Sequence, residues 1–247
     1  MEYSIMIPAE YSVCSELVDV PSFTGYNLSD KPALDALKAL SLASETHELE
    51  VVGGFAVRMY VANNCGDKDV LAMDRRSKDI DVDTTEHYSK PSFRSGIGKE
   101  LAGHLYSMGY YPYVWTKGRR NFGVDVTNED PNGVLFLSLP RRSDKNYQIF
   151  KDIVKREYDN AVELPVPGYE KHKLKVIRPE DIVPAKLHRL KPKDFTDITM
   201  LLKVTKDSDD IPFDWRYFRE ADLQWCGGVD KLVEDDITKL KKLRECL

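Results

Sequence analysis

The sequence predicts a mixed α/β fold, a mixed sheet flanked by helices, with a helical region at its C-terminal end. Three observations carry the prediction. Short β-branched runs alternate with helical patterns between residues 30 and 178. A glycine pair, Gly53-Gly54, joins one such run to the helix after it. From Pro179 onward the pattern is helical to the end, broken only near Pro192, Pro212 and Gly227-Gly228.

The elements follow in order. Residues 1–28 are mixed, with Pro8, Pro21 and Gly25 interrupting any period, so an N-terminal extension reaches to about residue 30. Ser29 and Asp30 are capping residue types, Pro32 suits a first turn, and Leu34, Leu37 and Leu40 recur at helical spacing, which predicts a helix over 31–46. Glu48–Val52 reads as a short strand, and FAVRMYVA after the glycines reads as a helix. Residues 63–75 are turn-rich and predict a loop. IDVD is a strand. Ser95–Met108 is a helix closed by Gly109. Tyr110–Thr116, Phe122–Thr127 and Val134–Leu139 are short strands separated by the turn-like KGRRN and NEDPNG. Ile149–Tyr158 reads as helix and Leu174–Ile177 as strand. The expected division is residues 1–178 and 179–247.

Composition sets bounds. The 247 residues are enough for one large domain or two smaller ones. With 42% hydrophobic and 31% charged residues the chain is globular. A net charge of −5 does not advertise a nucleic-acid binder, although a local basic patch remains open. The apolar runs are too short to predict a membrane span, and MEYSIMIPAEYS lacks the basic start of a signal peptide. Cys14, Cys65, Cys226 and Cys246 are far apart without CxxC spacing, so neither a disulfide framework nor a structural zinc site is expected, and a reducing cytoplasm is the default location.

The most informative stretch is RSKDIDVDTT at 76–85. On a strand, Asp79, Asp81 and Asp83 share one face. Asp is disfavoured in strands and like charges repel there, so the arrangement calls for a reason. One reading is a solvated edge guarded by charge. The other is a cation site: two carboxylates about 6–7 Å apart can grip divalent ions, which neutralise them and bridge phosphate oxygens. The upstream glycines favour the second reading, because backbone N–H groups at a strand-to-helix turn can meet an anion.

VVGGFAVRMY followed by RRSKDIDVD resembles the signature of the polymerase-β-like nucleotidyltransferase superfamily. IRPEDIVPAKLHRLKPKDFTDITMLL (177–202) is similar to a second signature of the AbiEii branch, which includes toxin components of toxin–antitoxin and phage-defence systems. The two matches span roughly 48–83 and 174–203, and the segment 55–78 between Gly54 and Asp79 is longer than usual for the superfamily. The resemblance implies a nucleotidyltransferase fold and transfer of a nucleoside monophosphate from a nucleoside triphosphate to an acceptor hydroxyl, with RNA, including a tRNA 3′ end, as one acceptor class. It implies two Mg²⁺ ions, with Mn²⁺ as the alternative, and for the toxin branch an antitoxin protein as partner. Residue by residue, Gly53 and Gly54 would hold the triphosphate, and Asp79 and Asp81 would hold metal. A third carboxylate on a later strand, Asp125 in FGVDV, would bind metal and draw the acceptor proton, with Glu129 and Asp130 as alternatives and Asp83 as a bystander. Lys186 would contact the triphosphate and Asp194 would orient it, within a Lys193-Asp194 and Asp197 pattern; an ordinary amphipathic helix is the competing reading. A non-catalytic module that binds nucleotide or RNA is the rival from another class.

Basic residues crowd 171–193, with Lys117, Arg119, Arg120, Arg141 and Arg142 in two further groups, so a polyanion track and ordinary solvated surface are both open. Tyr110, Tyr111, Tyr113 and Trp115 can pack a core or offer one ring to a base. Gly96 and Gly98-Lys99 lack P-loop spacing, the histidines lack HExxH spacing, and Trp215, Phe218 and Trp225 are expected to pack helices.

Overall fold

The computed structural model describes residues 26–64, 76–85, 96–117, 121–127, 135–140, 144–189 and 191–247. Among them run eight helices and one seven-stranded mixed sheet. Helix α1 (Lys31–Ala43) leads to β1 (Leu49–Val51), α2 (Gly53–Asn64) and β2 (Asp79–Thr84). Then come α3 (Ile97–Ser107), β3 (Tyr113–Lys117), β4 (Asn121–Asp125), β5 (Phe136–Pro140), α4 (Asp144–Asn160), β6 (Val162–Val166) and β7 (Tyr169–Val176). Four helices finish the chain: α5 (Pro179–Leu187), α6 (Pro192–Asp207), α7 (Trp215–Trp225) and α8 (Asp230–Cys246). The α/β class and the helical C-terminal region are as the sequence predicts.

The strand order is β3-β4-β5-β2-β1-β7-β6, which puts β2 at the centre. β2 runs parallel to β5 and antiparallel to β1. Its burial alternates with the pleat: Ile80, Val82 and Thr84 are buried while the three aspartates are half-buried. Helix α2 packs on β2 and β6, and α1 packs on β7, β6 and α3. The apolar side of β2 is therefore core, and its acidic side is only half covered.

The core is continuous across residue 178. It runs from Leu37, Phe55 and Tyr60 through Ile80 and Val82 to Leu201, Phe218 and Leu240, because α6 packs on α2 and α8 packs on α6 and α7. Each fully buried aliphatic side chain in it stabilises the fold by about 1.5–3 kcal/mol.

Four expectations needed correction. VELPV (162–166) is strand β6, which the sequence reading left out: its Pro165 suggests a turn, yet β6 is the sheet's last strand, where a missing N–H is tolerated. Strand β7 begins at Tyr169, ahead of the expected Leu174, and α4 begins at Asp144, ahead of Ile149. Helix α2 starts on Gly53 itself. The N-terminal extension before residue 26, most of the 63–75 loop and the two turns KGRRN and NEDPNG lie largely or wholly outside the described residues, as do Cys14, Cys65, Glu129, Asp130, Arg119, Arg120, Arg141 and Arg142.

Candidate active site

Strand β1 ends beside the acidic ladder. The Val52 N–H donates to the Asp81 carbonyl at 3.0 Å, so the turn into α2 is pinned to β2. Gly53 has φ +69°, a left-handed conformation that costs other residues energy. A Cβ there would sit 2.7 Å from Asp81 Oδ2. Both demands require glycine, and together they let the Asp81 carboxylate lie against the first turn of a helix. Gly54 is the next residue of that turn.

The ladder's electrostatics follow from this crowding. Burial, then Asp79, then Asp83 push the Asp81 carboxyl up to about 6, while Lys193 and Arg189 pull the other way. Ser77 Oγ donates to Asp79 Oδ1 at 2.8 Å and fixes that side chain. Hard oxygen donors grouped on one face, beside a backbone that only glycine can form, fit a divalent cation.

Asp125 closes β4. It stands opposite Phe136 of β5, which stands opposite Asp79, so the three occupy one row across the sheet. Residues in one row share a face, and Asp125 is half-buried. Two strand spacings put its Cα about 10 Å from that of Asp79. The neighbouring strand offers Ser138 to this side.

Lys186 is placed differently from Asp79 and Asp81. Its side chain is 4% exposed, and its ammonium bonds Asp197 and lies 3.7 Å from Asp194, both fully buried. Asp194 mainly serves Arg189, which donates from Nε at 2.8 Å and from a terminal nitrogen at 2.5 Å. The same carboxylate accepts the Lys191 N–H at 3.0 Å and so caps α6. These contacts pull the Asp194 carboxyl below the usual range despite its burial. The partly exposed cations close enough to act on Asp81 are Lys193, which the sequence reading names beside Asp194, and Arg189, which it counts only within the basic 171–193 stretch.

Glu50 was also missed. It pairs with Asp83 in the ladder register and with Lys175 on the other side, so it belongs to the acidic face. Its side chain is fully buried with no hydrogen bond to either oxygen. Burial, then Asp83, Glu157 and Asp181, push it up to about 9. Lys175 on the same face reaches the Tyr158 carbonyl at 3.1 Å and lies 3.7 Å from that ring's centroid, so α4 covers this end of the face.

The aromatic and basic expectations divide. Tyr111 and Tyr113 are exposed, and Tyr113 extends the Asp125 row. Phe218 packs as core and Trp215 packs against Phe213, but Trp225 is 53% exposed. Lys171 and Lys173 are exposed on β7, whereas Arg178 pairs with Glu180 at 3.1 Å.

A second polar cluster lies in the helical region. Ligand-type atoms of His188, Asp222, Cys226 and Asp236 all fall within 4.8 Å of one another. Burial pushes both carboxyls up and holds the Cys226 thiol at about 12. No motif spacing links these four residues, which is why the sequence reading passed over them.

No family model matches the sequence, and no curated protein matches it. Among solved structures, the crystal structure of an antigenic nucleotidyltransferase-like protein from Paracoccidioides brasiliensis is similar over 71% of this chain and 75% of that one, at 19% identity and a TM-score of 0.41.

Proposed function

We propose that the chain is a divalent-cation-dependent nucleotidyltransferase that moves a nucleoside monophosphate from a nucleoside triphosphate to an acceptor hydroxyl. The observation that carries this reading is the contact between Gly53 and Asp81, where a helix start and a metal-type carboxylate share a space that any Cβ would fill. Asp79 and Asp81 would hold Mg²⁺, or Mn²⁺, with Asp125 as the third carboxylate. When bound, two such ions would neutralise the charge of the triphosphate and of the departing pyrophosphate. The N–H groups of the Gly53-Gly54 turn meet phosphate oxygens, aided by the helix dipole. Arg189 and Lys193 meet the leaving pyrophosphate, and Asp125 accepts the proton of the attacking hydroxyl. In this proposal Lys186 acts through Asp194, and not on the nucleotide.

RNA, including a tRNA 3′ end, is the acceptor class favoured by the sequence resemblance and by exposed Tyr113 beside Asp125, since an exposed ring can stack on a base. The AbiEii-like branch, and with it a neutralising antitoxin protein, enters the proposal through the two sequence stretches alone. The separation of Asp125 from Asp79 supports a second reading, a module that binds nucleotide without transferring it. Incubation with each labelled NTP, Mg²⁺ and total RNA decides between them. Transfer is expected from the wild type and not from Asp79→Ala with Asp81→Ala. Saturable NTP binding without labelled product would establish the binding module, and equal labelling by the double variant would remove Asp79 and Asp81 from the chemistry.

A further inference from the structure

The cluster in the helical region is built from three elements. His188 caps the C-terminal end of α5, Asp222 lies in the last turn of α7 with Cys226 capping it, and Asp236 comes from α8. Asp222 is fully buried, Asp236 is 3% exposed and Cys226 7%. His188 Nε2 is the common neighbour: it lies 2.9 Å from Asp222 Oδ1, 3.9 Å from Asp236 Oδ2 and 3.7 Å from Cys226 Sγ. Cys226 Sγ lies 3.8 Å from Asp222 Oδ2. The imidazole is held in plane by Trp225, stacked at 6.2 Å with an interplanar angle of 8°.

We infer that His188, Asp222, Cys226 and Asp236 form a structural binding site for one transition-metal ion of the zinc class. The geometry points to tetrahedral coordination. With ordinary zinc bond lengths, the edges of a tetrahedron of N, O and S ligands are about 3.4–3.6 Å. The distances from His188 Nε2 to Cys226 Sγ and Asp236 Oδ2, and from Cys226 Sγ to Asp222 Oδ2, exceed this by a few tenths of an ångström, while His188 meets the other Asp222 oxygen, Oδ1, at hydrogen-bond length. One imidazole, one sulfur and two carboxylates are a donor set of intermediate softness, suited to zinc and poor for Mg²⁺, which demands an oxygen octahedron. Charge supports the same choice. Two buried carboxylates face one another across this space, with Lys239 reaching only Asp236, at 3.5 Å. A dication would compensate both.

The ion would tie α5, α7 and α8 together at a point one residue before Arg189, a cation that acts on Asp81. It would brace the turn that presents Arg189 and Lys193, while standing apart from the acidic ladder in residues and in ligand chemistry. The inference does not depend on nucleotidyl transfer.

The test uses the full chain carrying Asp79→Asn and Asp81→Asn, so that the ladder does not compete for metal. After treatment with EDTA and dialysis, the protein is titrated with Co²⁺ and then Zn²⁺. The expected result is about one equivalent of Co²⁺ with visible tetrahedral bands and a near-ultraviolet thiolate band, displaced by Zn²⁺ and not by excess Mg²⁺. Cys226→Ser should abolish the thiolate band, and His188→Asn should weaken Zn²⁺ binding by roughly tenfold or more. Zn²⁺ should raise the melting temperature of the parent and leave that of Cys226→Ser unchanged. Absence of the thiolate band from the parent protein overturns the inference whatever the variants do. Persistence of the band in folded Cys226→Ser overturns it as well, because Cys246 or another thiol would then be the ligand.

Discussion

Replacing Glu50 by Gln should stabilise the protein more and more as pH rises. Glu50 is fully buried without a hydrogen bond, and its carboxyl is pushed from 4.5 up to about 9 by burial first and by Asp83, Glu157 and Asp181 after that. Between those values the folded protein keeps a proton that the unfolded chain has released. The unfolded state therefore binds fewer protons, and stability falls as pH rises through this window, by about 1.4 kcal/mol per pH unit. At pH 7 the difference of 2.5 units from 4.5 corresponds to about 3 kcal/mol. Gln keeps the size and removes the titration. Its amide brings a constant cost of about 1–3 kcal/mol for an unpaired buried donor, which does not vary with pH. The informative quantity is the difference between variant and wild type in urea denaturation at pH 5 and at pH 8. That difference should grow by about 4 kcal/mol in favour of Gln between the two. A difference that stays flat across this range would refute the placement of Glu50 as a neutral buried acid on the ladder face.

Gly53→Ala should lower stability by about 1–2 kcal/mol through its left-handed backbone alone, and abolish Mg²⁺-dependent transfer by displacing Asp81; calorimetry and the labelling assay read the two effects separately. With the Asp81 carboxyl at about 6, protons compete with Mg²⁺ below that pH, so Mg²⁺ affinity should fall by up to about tenfold per pH unit there and level off above it, as titration calorimetry at pH 5, 6 and 7.5 would show. Lys186→Met removes the cation from two buried carboxylates and should cost about 3–5 kcal/mol in chemical denaturation. Arg189→Ala should leave the melting temperature within a few degrees and raise the KM for NTP, in contrast to Lys186→Met.

How much of this was readable from the sequence depends on distance along the chain. The ladder and the glycine turn were legible because their physics is local: a period of two puts Asp79, Asp81 and Asp83 on one side, and two adjacent glycines mark a backbone that must come close to something. What Gly53 approaches was not legible, since the Asp81 contact is set by the β1–β2 register. Glu50 escaped notice for the same reason. Beside Leu49 and Val51 it reads as the exposed residue of a half-buried strand, but β1 lies inside the sheet and α4 covers its other side. The His188 cluster is the extreme case, with ligand-type atoms from three helices whose positions no spacing rule connects.

Lys186 and Arg189 show why a helical signature does not reveal which of its cations works. Both stand near Asp194 in sequence, and either could reach a phosphate. The fold separates them by burial. Lys186 points into the junction of α5 and α6, where Asp194 and Asp197 are fully buried, and a lone ammonium there would be prohibitively costly without both. Arg189 is 48% exposed, just past the end of α5, so its long side chain keeps one edge on Asp194 and leaves the rest near Asp81. The buried triad of Lys186, Asp194 and Asp197 thus does positional work. It fixes the carboxylate that fixes the guanidinium, and it caps α6 with the same oxygens. In the proposed enzyme, a sheet face crowded with carboxylates needs positive charge held at a defined distance, near enough to favour a triphosphate and not so near as to neutralise Asp81 by direct pairing. Packing α6 on α2, the helix that begins at Gly53, sets that distance through the rigid core, which is why the helical region and the sheet share one hydrophobic interior.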